Sequence, residues 1–481
     1  MNLDELLKAP SPRKPFITVI TYASDEEAKL EMFREERESS FYTDTAGRTR
    51  LNDGTMANLY HQYNEMVYAN GAFYCPDGMK RVGMVEREIL ETIQQRLTLD
   101  LARNTKKVLE ALKVIAYKDD FDFTDQMIIP FANGDMVVDP EKMWTFYEGK
   151  KRPVPYRLPV SFKPMWRPQP TPNFAKWLED LFYPEDIPTL QEYLGYCLLP
   201  TTRGQKLLFI IGEAGCGKSI IVHILKALFG ETMTAPLDLN QFFEDKFKVA
   251  ELENQLVFYE DDLSDQVLDD STKFKKFATG GVPVTADRKF GQPFKFTPYC
   301  RFIFCGNHML KCPSDDSDGF YRRLMPISTK PKDPNRVNIP AFGDIVASEA
   351  EGILQWALLG LKRLIENDWQ FTVSNRSTQY VRDFRDLSNP LPLFMDDCFV
   401  RDEAGDFTND ELRMAYSMWC IEQGIKPMQP KRLTEWLFDQ GSTYGIMRES
   451  NGNLVRGDKR KRGYKGGYIR KEYLISHTVP V

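Results

Sequence analysis

Three short apolar runs frame the middle of this chain: Leu207 to Ile211 (LLFII), Leu256 to Tyr259 (LVFY) and Arg301 to Cys305 (RFIFC). None alternates, and each gives way at once to glycine or to polar side chains, the pattern of strands buried on both faces of a parallel sheet. A fourth strand-like run, LMPIS, follows Arg322 and Arg323. Helical periodicity begins at Ile220, fills Phe174 to Leu199 with breaks at Pro184 and Pro188, and returns over residues 349–367 (EAEGILQWALLGLKRLIEN). Upstream, MIIPFANGDMVVDP places two apolar runs around Asn133-Gly134 and predicts a hairpin, and seven prolines between Pro153 and Pro172 mark an extended connector. Residues 1 to about 110 are polar and helix-leaning. Near the C-terminus, Thr408 to Gln423 and Pro430 to Gln440 read as two helices, the first capped by Thr408 or Asn409, joined by a turn at Gly424 to Pro427.

These elements predict an α/β protein. Residues 1–115 form a mostly helical accessory region, and 116–200 hold the hairpin, the proline-rich connector and a helical collar. Residues 201–335, which hold the glycine-rich GEAGCGKS directly after the first run, are expected to form a P-loop ATPase core with a parallel sheet flanked by helices, 336–392 a helical lid, and 393–481 a winged-helix-like domain.

The chemistry concentrates where the first apolar run ends. GEAGCGKS, residues 212–219, fits the phosphate-loop pattern, with a strand before it and a helix after it. Gly212, Gly215 and Gly217 let the backbone curl so that successive N–H groups face one anion, and the N-terminus of the following helix adds its dipole to the same point. Cys216 and Ile220 complete the cradle, Lys218 brings a full charge to the β- and γ-phosphates of ATP, and Ser219 offers a hydroxyl to Mg²⁺. His223, on the same helix, is expected to pack.

The second run ends in Glu260, Asp261 and Asp262. One carboxylate there would hold Mg²⁺ and another would polarise the attacking water; Glu260 and Asp261 are the candidates. Asn307, after the third run, can sense the γ-phosphate, and Arg322 or Arg323 can supply charge to a nucleotide on a neighbouring subunit. Between the second and third runs, Arg288, Lys289 and Phe290 form the basic, aromatic tip of a predicted hairpin suited to a phosphate backbone. Near the C-terminus, residues 456–473 carry eight basic against two acidic side chains, with Arg460, Lys461 and Arg462 on the expected wing.

Composition narrows the remaining classes. The formal charge is −6, so nucleic-acid contact must come from local patches. No metal-ligand spacing joins any two of the four histidines, and eight scattered cysteines read as reduced thiols. Asp119, Asp120 and Asp122 read as a solvated turn. With no apolar stretch long enough for a membrane span and no signal-like N-terminus, the expected location is the cytoplasm.

The ordered series PFANGDMVVD, LQEYLGYCL, GEAGCGKS, FYED, KKFATGG, FIFCGN, GFYRRL, EGILQWALLGL and AYSMWCIEQGIKP resembles the superfamily 3 AAA+ helicases of the phage, plasmid and poxvirus primase-helicase family, over roughly residues 125–475. The resemblance implies a ring-forming ATPase, a hexamer, that encircles single-stranded DNA at a fork and moves 3′ to 5′ during replication of a phage, plasmid or mobile element. It assigns Lys218 and Ser219 to phosphate and magnesium, Glu260 and Asp261 to the acidic motif and Asn307 to the sensor. Lys289 matches the DNA-gripping lysine, and Arg322 or Arg323 the finger acting between subunits. No primase catalytic set is present, so a separate primase is an expected partner. The alternatives are an origin-binding initiator that uses ATP only to assemble, or another DNA-translocating ATPase.

Overall fold

A computed structural model describes residues 16–22, 26–119, 121–124, 126–239, 242, 245, 247–263, 271–287, 293–309, 317–334, 339, 341–424, 427, 430–448, 454–456 and 459–474. Two units result, Met1–Val381 and Arg382–Val481.

In the first unit, the N-terminal part adds short strands to the expected helices. Helices Asp53–Asn64, Val82–Ile93 and Leu101–Ile115 enclose a small core of their own, joined by a three-stranded meander over Val67–Ala69, Ala72–Cys75 and Gly78–Arg81. Its first turn is Asn70-Gly71, both residues at positive φ (51° and 78°), which matches the twist of a tight hairpin. The hairpin read at Asn133-Gly134 is present as Ile128–Phe131 and Gly134–Val137. It belongs to a four-stranded sheet completed by Trp144–Glu148 and by Ile17–Thr21, a strand from far upstream.

The site is built on five strands: β1 (Leu207–Ile211), β2 (Thr234–Pro236), β3 (Val257–Leu263), β6 (Arg301–Gly306) and β7 (Leu324–Ser328). A separate antiparallel pair, β4 (Val284–Ala286) and β5 (Phe294–Phe296), lies between β3 and β6 in sequence. The large sheet is wholly parallel, in the order β2-β3-β6-β1-β7. β1 at its interior is buried at every residue, as the unbroken apolar run requires.

Helices cover both faces. Helices α1 (Pro172–Leu181), α2 (Ile187–Tyr196), α3 (Ile220–Phe229) and, after the sheet, α7 (Ala350–Glu366) share one core with Leu208, Ile210, Ile303 and Ile327. On the other face, α4 (Thr272–Thr279) lays Phe274 against Phe304, which stacks on Phe209 at 4.9 Å between centroids. Short helices α5 (Asp318–Tyr321) and α6 (Phe342–Ala347) follow β6 and β7. Gly195 of α2 and Gly360 of α7 bring those helices into backbone contact: a Cβ on either would collide with the other helix's main chain.

The second unit runs helix α8 (Leu391–Cys398), strand β8 (Phe399–Thr408), helices α9 (Asn409–Glu422) and α10 (Pro430–Gln440), strand β9 (Met447–Arg448), hairpin β10 (Leu454–Arg456) with β11 (Lys459–Lys461), and strand β12 (Gly463–Ile469). Its sheet has the order β8-β12-β9. Thr408 caps α9 in a reciprocal box with Glu411, resolving the two candidate caps in favour of Thr408. Phe394, Tyr416 and Trp419 centre its core.

Candidate functional site

The parallel register brings the C-terminal ends of β1, β3, β6 and β7 to one edge. Ile211 is level with Gly306 of β6 and Ser328 of β7, and Leu263 of β3 is also level with Gly306. The glycine-rich loop leaves β1 at this edge and enters α3. Gly212 donates its N–H to Gly306 O at 3.0 Å, and a side chain there would strike Thr329. Gly215 (φ 72°) and Gly217 (φ 105°) take the left-handed conformations that glycine alone adopts without strain. The loop is clamped from two further sides: Trp177 of α1 donates Nε1–H to Gly217 O at 3.1 Å, and the Cys216 thiol lies 3.6 Å from Thr329 Oγ1.

A cavity of about 1450 Å³ opens over this loop, lined by residues 214–220 together with Asp261, Asp262 and Asn307. Lys218 is nearly buried, and its ammonium donates to Gly212 O (2.5 Å), Glu213 O (2.8 Å) and, at 3.4 Å, to Asn307 Oδ1. The predicted loop residues and Asn307 thus converge.

The acidic run divides. Glu260 is paired with Phe304 and faces α4's side of the sheet with Phe258 and Phe302, while Asp261 and Asp262 line the cavity. A bulge in the β3–β6 register between Glu260 and Leu263 separates the two groups and turns consecutive aspartates outward. Glu260 Oε2 is buried without a hydrogen-bond partner among the described residues. Desolvation, helped by the nearby Asp238 carboxylate, raises the Glu260 pKa to about 7. The expected pairing of Glu260 with Asp261 at one site therefore becomes Asp261 with Asp262 at the cavity.

The two arginines also differ, and neither lines the cavity. Arg323 is buried, and its guanidinium donates to Gly319 O and Thr279 Oγ1, tying β7 to α4. Arg322 is exposed; its carbonyl accepts from Lys206, whose pKa burial and the two arginines lower.

Arg288, Lys289 and Phe290 lie outside the described residues; the strands flanking them, β4 and β5, pair as a hairpin should. In the second unit Arg460, Lys461 and Arg462 are exposed at the β10–β11 hairpin and its exit, with Lys461 paired to Asp410 at 3.0 Å. In the turn at residues 119–122, Asp119 accepts from the Tyr117 hydroxyl and Asp122 from the Thr124 N–H; Asp120 lies outside the described residues.

Four basic lining residues escaped the sequence reading as site residues: Lys176 of α1, Lys330 and Lys332 just past β7, and His223. His223 was expected to pack, yet it is half exposed in the cavity, 2.9 Å from Asp344 Oδ1 of α6, with its ring against Gly343. The signal for Lys330 and Lys332 was two cations two and four residues beyond a strand that ends beside the loop.

The fold and site define a mixed α/β protein with a parallel sheet flanked by helices and a charged cavity at one sheet edge. A family of unknown function, DUF5906, matches residues 210–323, the stretch from β1 to the paired arginines. The fold of this chain resembles the C-terminal region of NrS-1: an apo structure of residues 305–718 of that protein aligns with a TM-score of 0.50 at 15% identity, covering 87% of this chain and 100% of that one. An A form apo structure of the same region gives a TM-score of 0.46 at 13% identity, covering 84% of this chain and 96% of that one. No curated protein matches. Among the described residues, no helix is long and apolar enough to cross a membrane.

Proposed function

We propose that this chain is an ATP-dependent DNA helicase of the superfamily 3 AAA+ type, a ring motor of six subunits that moves 3′ to 5′ along a single strand. The observation that carries the reading is the convergence of Lys218, Ser219, Asp261, Asp262 and Asn307 on one cavity beside the N-terminus of α3. The cavity exceeds the roughly 300–1,000 Å³ of common small-molecule sites, so a nucleoside triphosphate fits.

The residues present suit ATP with Mg²⁺. Asp261, Asp262 and Ser219 line one cavity, which suits an ion taken through one or two carboxylates and the phosphates themselves. Bound there, Mg²⁺ neutralises charge that builds on the phosphoryl oxygens. The loop amides and Lys218 bind the phosphates, Ser219 and Asp261 hold the ion, and Asp262, which shares the cavity with them, orients water. Asn307, already against Lys218, positions that lysine. Arg322 is the finger offered to a neighbouring subunit, because Arg323 is committed to its own fold.

The second unit has the order of a winged helix, with α9 and α10 followed by a hairpin between strands β9 and β12. We assign DNA contact to Arg460 and Arg462 on that wing and to Arg288, Lys289 and Phe290 in the first unit. The same winged-helix order supports the alternative of an ATP-dependent origin-binding initiator.

Strand displacement on forked DNA carrying one 3′ or one 5′ tail separates the two. A helicase unwinds the 3′-tailed fork with ATP and loses this in Lys218→Ala. ATP hydrolysis without unwinding on either fork replaces the motor reading with the initiator.

A further inference from the structure

The cavity holds more cation than the loop motif accounts for. Lys330, Lys332 and Lys176 join Lys218 in its lining, alongside Glu179, Asp180, Asp261, Asp262 and Asp333, and Lys176 is paired to Asp180 at 3.2 Å. Their environments differ. Lys330 is tied down, its ammonium donating to Glu179 O at 2.5 Å and its N–H to Leu181 O at 2.7 Å. Lys218 is held by two loop carbonyls. Lys332 is exposed, and its ammonium makes no hydrogen bond or ion pair among the described residues. It hangs over the loop: a Cβ built on Gly215 would lie 3.3 Å from Lys332 Nζ.

The fold fixes this position. β7 runs parallel to β1 in register through Ile211 and Ser328; Thr329 then donates its N–H to Ile211 O at 2.8 Å and packs on Gly212. Three residues further on, the Lys332 side chain brings its ammonium to Gly215. An unpaired ammonium beside a curl of backbone N–H groups is suited to an anion that bridges both.

We propose that Lys332 is a second phosphate-binding cation, acting within the same subunit as Lys218 and reading the polyphosphate chain of the nucleotide, not its base. This rests on the nucleotide reading of the loop. It gives binding two cations in cis and leaves Arg322 free to serve hydrolysis without serving affinity.

The test is calorimetric titration of the full chain with MgATP, and separately with inorganic tripolyphosphate, which has no base or sugar. Lys332→Ala should weaken both ligands by about tenfold, the loss of one charge-assisted contact. The loss should shrink as salt is raised, and Lys332→Arg should recover most of it. Equal affinities for Lys332→Ala and the parent, in a preparation where Lys218→Ala abolishes binding, would overturn the proposal while leaving the site intact. A loss for MgATP with tripolyphosphate unchanged would overturn it too, by moving Lys332 to the base or sugar. Failure of the parent to bind either ligand, or binding untouched by Lys218→Ala, would instead remove the nucleotide reading itself.

Discussion

The glycine-rich edge of the parallel sheet and the basic hairpin of the second unit both carry the cations expected to meet phosphate, but they hold them by opposite means. At the sheet edge the charge is built in: Lys218 is 8% exposed and bonded to three oxygens, beneath Trp177 and Thr329, which fix the loop. On the hairpin the charge stands in water, and Lys461 meets Asp410 in an exposed pair, of a kind worth about 0–1 kcal/mol. A preorganised cation loses little entropy on meeting its ligand and is sensitive to everything around it. A solvated one tolerates change and acts mainly through its sum with neighbours.

Four outcomes would sharpen or break this contrast. The largest effect belongs to Lys218→Ala, which should lower ATP hydrolysis by on the order of 10²–10³ while the melting temperature stays within a few degrees. A variant that unfolds would show that the lysine also holds the loop together.

Next come the two arginines, adjacent in sequence and unlike in surroundings. Arg323→Ala removes a buried guanidinium bonded to Gly319 and Thr279 and should cost about 1–3 kcal/mol in urea unfolding. Arg322→Ala should cost less than about 0.5 kcal/mol yet depress hydrolysis in the assembled protein. Reversal of the two stabilities would undo the assignment of the finger.

Glu260 offers a pH test. Its pKa is raised from about 4.5 to about 7, chiefly by desolvation, so the folded chain holds this proton more tightly than the unfolded chain does. Stability from this group is therefore complete below about pH 4.5 and is lost as pH rises through 7. Nucleotide-free Glu260→Gln should melt above the parent at pH 8 and together with it at pH 4.5. Catalysis adds a second readout: Asp262→Asn should abolish hydrolysis, whereas Glu260→Gln should retain a substantial part.

The smallest effects lie on the hairpin. Arg460→Ala and Arg462→Ala should each leave stability within about 0.5 kcal/mol and weaken single-strand binding severalfold, with a shallower dependence on salt. A loss as steep as that of Lys218→Ala in its own assay would mean that the hairpin, too, is a preorganised site.

The loop site was legible because its chemistry is contiguous. Strand, glycines, Lys218, Ser219 and helix occur within residues 207–229, and the unbroken apolar runs disclosed the parallel strands that carry the other groups. The hairpin at Asn133-Gly134 was read from its turn. The equivalent signal at Asn70-Gly71 lay inside a segment taken as helix-leaning, and its three strands, of three or four residues each, are too short to show a pattern of their own.

What the sequence determined by itself was local: the turn residues, the strand runs and the glycine curl, each set by backbone sterics and near-neighbour hydrogen bonds. Which side chains share the cavity was decided only by tertiary structure. A bulge in β3 sends Asp261 and Asp262 one way and Glu260 the other, and the register of β7 carries Lys332 to Gly215 across more than a hundred residues. Burial separates Arg322 from its neighbour Arg323. Strand register, pleat and solvent access are properties of pairs of segments, and no single segment contains them.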